Sequence, residues 1–295
     1  SRGSALHSPV PELPEVETLR RSLEPLLLGR RIAAATLHRR DILILPGDPA
    51  GGFSRSRTKR RPKRVQPEHL LTGGRFAELR RRGKQLALIT DDDRVLVIHL
   101  GMSGQLLHAT EPQRLSHIHL TWKLDNGSHL VFRDPRRFGG ARFATAGDLD
   151  TSVWSDLGPD ALTISGQELH RRAGKARRAI KAALLDQAIL AGVGNIYADE
   201  ALFLATILPR KRATAIDVAG FNRLADAVRQ TLAKAISARG STFRDYRDAT
   251  GQSGQAQLSH RVYGRAGQPC LSCGKTLISA QIAQRTTVFC RGCQR

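Results

Sequence analysis

The chain has 295 residues, 47 of them Lys or Arg against 26 Asp or Glu, which gives a formal charge of +21 and a pI near 11.2. That excess argues against an enzyme of neutral metabolites and suits a protein that replaces counterions along a phosphate backbone. Apolar residues make up 40%, enough for two cores and a small module, yet no apolar run approaches the ~20 residues that span a bilayer.

Residues 1–10 carry no periodicity and read as a leader outside the folded protein. From Leu13, the apolar positions Leu13, Val16, Leu19, Leu23 and Leu26 follow helical spacing, with Pro14 in the first turn and Pro25 expected to kink or end the helix. Short β-like runs follow at 32–37, 42–45, 75–80, 85–90, 95–100, 117–124 and 129–133, with Asp125-Asn126-Gly127 as a hairpin turn. Several short strands with polar turns predict a sandwich. A basic insert at 46–70 holds Arg55, Arg57, Lys59, Arg60, Arg61, Lys63 and Arg64. It reads as a solvated loop, or as a nonspecific DNA tether centred on 53–67. A link near 146–161 leads to a helical texture over 166–239, then to a polar, glycine-bearing loop over 240–257 that is expected to be mobile.

The four cysteines close the chain as Cys270-Leu-Ser-Cys273 and Cys290-Arg-Gly-Cys293, sixteen residues apart. Two C-x-x-C knuckles separated by one hairpin length can place four thiolates around one structural zinc ion. The alternative, two disulfides, pairs cysteines badly at this spacing. Reduced cysteines and the absence of a signal peptide point to the cytoplasm. The basic residues Lys275, Arg285, Arg291 and Arg295 make this staple a candidate nucleic-acid contact. With aromatics at only 5%, stacking platforms for single strands are scarce, which favours duplex DNA. Upstream, Gly192-Val-Gly194-Asn195 reads as a turn into a helix capped by Asn195, whose exposed amides would bind a phosphate.

The motifs Pro11-Glu-Leu-Pro-Glu-Val-Glu17, Arg82-Gly-Lys84, His99-Leu-Gly-Met-Ser-Gly104, Asp134-Pro-Arg-Arg-Phe-Gly139, the 192–197 turn and Val262-Tyr-Gly-Arg265 stand in this order ahead of the cysteine pairs. From Pro11 to Arg295 the chain resembles the formamidopyrimidine-DNA glycosylases, bacterial repair enzymes for oxidised purines. The resemblance implies an α+β fold: an N-terminal β-sandwich with flanking helices over 11–147, a helix-two-turn-helix domain over 160–261 and a zinc-ribbon hairpin over 262–295. It implies a monomeric, bacterial, nucleoid-associated enzyme acting on double-stranded DNA with oxidised bases or abasic sites. It further implies that the enzyme is both glycosylase and abasic-site lyase, excising 8-oxoguanine and formamidopyrimidines, with one structural zinc on Cys270, Cys273, Cys290 and Cys293.

By the same resemblance Pro11 is the nucleophile, Glu12 the proton shuttle, Lys84 a proton donor or phosphate clamp, and Arg285 the residue of the second elimination. An arginine gives up its proton so reluctantly that Arg285 acts chiefly as an electrostatic clamp. Glu15 orders the site. Met102, Arg136 and Phe138 would fill the gap left by an extruded base. His117, Arg137, Asn195, Lys175 and Arg177 would touch the DNA backbone, and the loop 241–257 would cover the extruded base. The family's proline is the first residue, whereas ten residues precede Pro11 here. An internal proline nitrogen is an amide and cannot attack. The expected resolution is that Val10 stands at a GUG start, so that methionine removal exposes Pro11. Three alternatives remain: a relative preferring oxidised pyrimidines, against which Leu13 stands where that branch carries glycine; a zinc-stabilised DNA-binding protein without catalysis; and, with the leader retained, a lyase using another amine such as Lys84.

Overall fold

The computed structural model describes residues 10–48, 64–242 and 246–295. The expected leader, apart from Val10, and residues 49–63 of the insert lie outside these residues. Two compact units emerge. One joins the chain up to Pro11 with Glu15–Ser155 and Ser241–Gly254; the other joins Glu12–Pro14, Asp156–Gly240 and Gln255–Arg295.

Helix α1 (Leu13–Leu27) does not stop at Pro25. A proline in the last turn forfeits one hydrogen bond at an end that is already losing its partners. Gly29, at φ +76°, supplies the left-handed residue that follows the helix. Next in chain order come β1 (Ile32–Leu37), β2 (Leu43–Ile44), β3 (Phe76–Arg82), β4 (Gln85–Thr90), β5 (Arg94–His99), β6 (Gln105–Ala109), β7 (Ile118–Leu124), β8 (His129–Arg133), β9 (Gly140–Thr145) and the single turn α2 (Ala146–Asp148). They form a four-stranded sheet in the order β1-β7-β8-β6 and a five-stranded sheet in the order β2-β9-β5-β4-β3. Leu88, Leu96 and Ile98 of one sheet and Leu120, Trp122 and Phe132 of the other share a single core with Val16, Leu19, Leu23 and Leu27 of α1. This is the sandwich that the strand-and-turn pattern predicts.

Three differences from the sequence reading have physical causes. Strands β6 and β9 carry no clear signal in the sequence: β6 places Leu106 and Leu107 side by side, and β9 opens on glycine, so neither shows clean alternation. Their pairing with β8 and with β5 supplies what local propensity lacks. The expected strand at 42–45 is shortened by a 3-10 turn at Arg40–Ile42. The end of the insert is not a solvated loop, because Pro67–Leu70 forms a 3-10 turn. Leu70 there is buried, and its carbonyl accepts the Trp122 indole N–H at 2.9 Å.

The segment 246–254 is a loop, as expected, but it is tied into the sandwich. Ala249 is wholly buried in the sandwich core. Its N–H donates to Ser22 Oγ at 3.2 Å, and its carbonyl accepts the His108 N–H at 2.9 Å. Asp248 accepts the N–H groups of Thr250 and Gln252 and so shapes a tight turn.

The second unit holds α3 (Gly166–Ala173), α4 (Ile180–Leu184), α5 (Asn195–Leu204), α6 (Val218–Ser237) and the antiparallel hairpin β10 (Ile278–Ile282) and β11 (Arg285–Phe289). Ser165 caps α3 through the Glu168 N–H, and Asp217 caps α6 through the Gly220 N–H. The helical core includes Leu13, and a smaller core of Phe203, Val262, Leu277 and Val288 surrounds the cysteines. Among the described residues no helix is long and apolar enough to cross a membrane.

Candidate active site and nucleic-acid interface

Pro11 is buried and leads directly into α1. Its neighbour Glu12 is 2% exposed and belongs to the second unit. The Glu12 carboxylate accepts the N–H groups of Gly194 at 2.6 Å, Ile196 at 2.8 Å and Tyr197 at 3.4 Å. Those are the orphan donors at the start of α5. The reading of this turn as a phosphate cradle capped by Asn195 is therefore corrected. Gly194 is the N-cap residue, and the anion at this helix end is the chain's own Glu12. Gly192 is glycine for a packing reason: its φ is +114°, and a Cβ there would lie 2.5 Å from Leu13 Cδ1. The Leu13 N–H donates to the Gly192 carbonyl at 3.1 Å, closing the same contact.

Asn195 begins α5, and its amide donates to the Thr286 carbonyl at 3.1 Å. Arg285 stands exposed at the start of β11. The turn before it is Ala283-Gln284, with φ of 49° and 58°. Such two-residue turns normally call on asparagine and glycine, so this one is strained. Behind β11, Lys181 and Asp199 are both fully buried and pair at 2.7 Å. Burial pushes Asp199 up to about 7 against the opposing Lys181 charge, and it pushes Lys181 down from its ordinary value. Glu200, next along α5, accepts the N–H groups of Arg261, Val262 and Tyr263 at 2.9, 2.9 and 2.8 Å. The Tyr263 hydroxyl is pushed up to about 12 by burial and by the Glu12 charge. Lys175 and Arg177 are exposed in the loop between α3 and α4.

The remaining candidates lie on the first unit. Lys84 is half-buried at the tip of the β3–β4 hairpin, where Gly83 takes φ +54°. Facing β4, His99 accepts the Gly101 N–H at Nδ1 over 3.1 Å. Burial first, and then the Lys84 charge, bring His99 down to about 4, so the ring is neutral at pH 7. The loops bearing Met102 and Arg136 are joined by Asp134, which is fully buried. Asp134 accepts the Ser103 hydroxyl at 2.5 Å, the Arg136 N–H at 3.2 Å and the Gly139 N–H at 2.7 Å. Gly101 and Gly139 permit the backbones to touch: a Cβ on Gly101 would lie 2.4 Å from Phe138 C, and one on Gly139 2.6 Å from the His99 carbonyl oxygen. Half-buried Met102 is thereby set beside the exposed pair Arg136 and Phe138, whose guanidinium and ring are 5.0 Å apart. Arg137, at φ +56°, faces Asp41 at 3.8 Å, and exposed His117 gives its carbonyl to the Asp134 N–H.

Glu15 accepts the Ser241 N–H at 2.7 Å with its carboxylate and the Tyr246 hydroxyl at 2.9 Å with its carbonyl. It thus holds both sides of the segment expected to cover the lesion, whose residues 243–245 lie outside those described. Sequence reasoning missed the holding roles of Asp134, Ser103, Lys181, Asp199 and Glu200. Ser103 and Asp134 lie inside the quoted motifs without a role read for them, and Lys181, Asp199 and Glu200 show only as charged residues in apolar helical stretches.

The four cysteine sulfurs lie within 4.8 Å of one another, with Cys270–Cys293 at 3.8 Å and Cys273–Cys290 at 3.4 Å. A tetrahedral zinc with Zn–S bonds of about 2.3 Å needs sulfurs about 3.8 Å apart. Burial and the neighbouring thiols push Cys293 up to about 12. Four thiolates in this space therefore call for a divalent cation, and the donor set fits one.

Comparison with known proteins agrees with this geometry. Residues 10–141 match the formamidopyrimidine-DNA glycosylase N-terminal domain, and residues 157–247 match the H2TH domain of the same enzymes. A formamidopyrimidine-DNA glycosylase from Xanthomonas campestris pv. campestris is 42% identical over 291 residues, covering 97% of this chain and all of the relative. The crystal structure of MutM (Fpg) from Thermus thermophilus superposes with a TM-score of 0.80 at 37% identity, covering 96% of this chain and 98% of that one. A Lactococcus lactis Fpg mutant, solved with DNA containing Fapy-dG, gives 0.83 at 32% identity, covering 97% and 100%. On full-length similarity and shared architecture, the chain belongs to the formamidopyrimidine-DNA glycosylase family.

Proposed function

We propose that this protein excises oxidised purines, 8-oxoguanine and formamidopyrimidines, from duplex DNA and then cleaves the resulting abasic site in base excision repair. The observation that carries the reading is the placement of Glu12: a buried carboxylate fixed on three backbone N–H groups, one peptide bond from Pro11.

The attacking form is a chain whose first residue is Pro11, because with Val10 attached the nitrogen's lone pair is delocalised into an amide. The free amine attacks C1′. The C1′–N bond breaks, and the base leaves with a proton. Glu12 passes a proton to the sugar ring oxygen, the ring opens, and an iminium joins Pro11 to the sugar. Loss of a C2′ proton then breaks the C3′–O bond, and loss of a C4′ proton breaks the C5′–O bond. Each electron pair departs with a phosphate, and water finally releases the sugar from Pro11. Lys84 and Arg285 stabilise those departing charges.

Extruding a base leaves a gap in the stack. The grouping of Met102, Arg136 and Phe138 supports their entry into it, with Arg136 bonding the unpaired partner base through its planar fork. His117, Arg137, Asn195, Lys175 and Arg177 contact phosphates. Zinc on Cys270, Cys273, Cys290 and Cys293 staples the hairpin that bears Arg285, and four thiolates leave no open coordination position for chemistry. Elemental analysis should return one zinc per chain.

Borohydride reduction tests the reading directly. Protein beginning at Pro11 should form a covalent adduct with duplex DNA containing 8-oxoguanine, and the Pro11→Gly variant should trap far less. A stronger adduct with oxidised-pyrimidine DNA would indicate the related specificity. No adduct at all would leave a DNA-binding protein without catalysis.

A further inference from the structure

Three consecutive residues of β11 are held from behind. The Thr286 carbonyl accepts from Lys181 Nζ at 3.3 Å and from the Asn195 amide at 3.1 Å. The Thr287 hydroxyl meets Lys181 Nζ at 2.7 Å. The Val288 N–H donates to Asp199 at 3.0 Å, and Asp199 is the ion-pair partner of Lys181 at 2.7 Å. The next residue toward the turn is Arg285, exposed at the first position of the strand. The turn itself, Ala283-Gln284, takes two left-handed conformations without a glycine. A buried charge pair is costly unless its hydrogen bonds are complete. Here the lysine spends its donors on the strand that carries Arg285.

We propose that Lys181, paired with Asp199, is a positioning residue for the second elimination: it fixes the backbone at 286–287 and so aims Arg285 at the departing 5′-phosphate. The inference rests on the function proposed above. In that step a proton leaves C4′, the C5′–O5′ bond breaks, and the electron pair leaves with the phosphate. Neither Lys181 nor Asp199 touches the sugar. Their loss therefore leaves imine formation and the first elimination in place and slows only the second.

The test uses full protein beginning at Pro11 on abasic duplex DNA. Two variants are compared with the parent: Lys181→Gln combined with Asp199→Asn, which keeps a neutral hydrogen-bonded pair, and Thr287→Val, which keeps the charge pair and removes one strand contact. Borohydride trapping reads the imine. Denaturing gels read the ratio of once-eliminated to twice-eliminated ends. Trapping within about twofold of the parent is expected, together with a rise in once-eliminated ends of about tenfold to a hundredfold, the range that a misplaced charged group gives. An unchanged product ratio with normal trapping overturns the positioning role while leaving the proposed function intact. Trapping that falls in parallel with the second step in Thr287→Val also overturns it, because the pair would then be general scaffolding. If the parent itself traps nothing, both the function and this inference fall.

Discussion

The Glu12 carboxylate and the Gly194 N–H meet at 2.6 Å across 182 residues of sequence. One contact thus closes the start of α5 and fixes the acid beside Pro11. In the proposed reaction a free Pro11 amine needs a proton partner that is held still. Capping a helix with that partner holds it without help from the substrate.

Replacing Glu12 with Gln is expected to lower single-turnover excision of 8-oxoguanine by about a hundredfold or more, the usual weight of a general acid–base group. The same change turns an amide NH₂ toward backbone donors, which should cost about 1–3 kcal/mol. Thermal melting and excision are measured on the same sample. A variant that excises at the parent rate would remove Glu12 from the chemistry.

Asp134 ties Ser103, Arg136 and Gly139 together. Asp134→Ala should therefore weaken binding to lesion-bearing duplex about as much as Arg136→Ala and Phe138→Ala combined, although Asp134 is fully buried and cannot touch DNA. Fluorescence anisotropy at fixed salt decides this. Affinity equal to that of the parent would show that Met102, Arg136 and Phe138 hold their places unaided.

Glu17 gives a pH dependence of stability. Burial pushes its carboxyl up, but hydrogen bonds from Arg20, Arg21 and Arg81 outweigh this and bring it from 4.5 to about 2. A folded-state value below the unfolded one stabilises above pH 4.5, and the contribution drains away as pH falls toward 2. The stability difference between the parent and Glu17→Gln, from urea melts, should shrink steadily across that window. A gap of constant size from about pH 5 to about pH 2 would contradict the assigned ion pairs.

The turn at Ala283-Gln284 asks two side-chain-bearing residues to adopt left-handed angles. Changing them to Asn-Gly should stabilise the hairpin by about 1 kcal/mol, since glycine and asparagine adopt such angles more readily. Amide exchange across β10 and β11 reads this locally. Faster exchange would mean that the existing pair makes contacts worth more than its strain.

Much is legible in the residues themselves. The apolar runs of β4 and β8, the alternation in β7, the spacing of Val16, Leu19 and Leu23, and the two C-x-x-C pairs each encode a local geometry, and local geometry survives in one dimension. What stays hidden depends on distant partners. Nothing near Gly192 in sequence announces that Leu13 will occupy its Cβ space, and nothing near Gly194 announces that a carboxylate 182 residues away will take its N–H. The amides read correctly as an anion site, but the anion is misassigned from sequence because an internal acid is invisible to local pattern.

The sequence by itself determined strands β1, β3, β4, β5, β7 and β8, the helical second half, the cysteine quartet and the basic charge of this protein, because periodicity, spacing and composition act over short range. The tertiary structure alone decided which buried groups tie the candidate site together: Glu12 on α5, Asp134 beside Arg136 and Gly139, and Lys181 with Asp199 behind β11. Burial makes an unpaired polar group costly, so such partners are selected by proximity in space, whatever their separation along the chain.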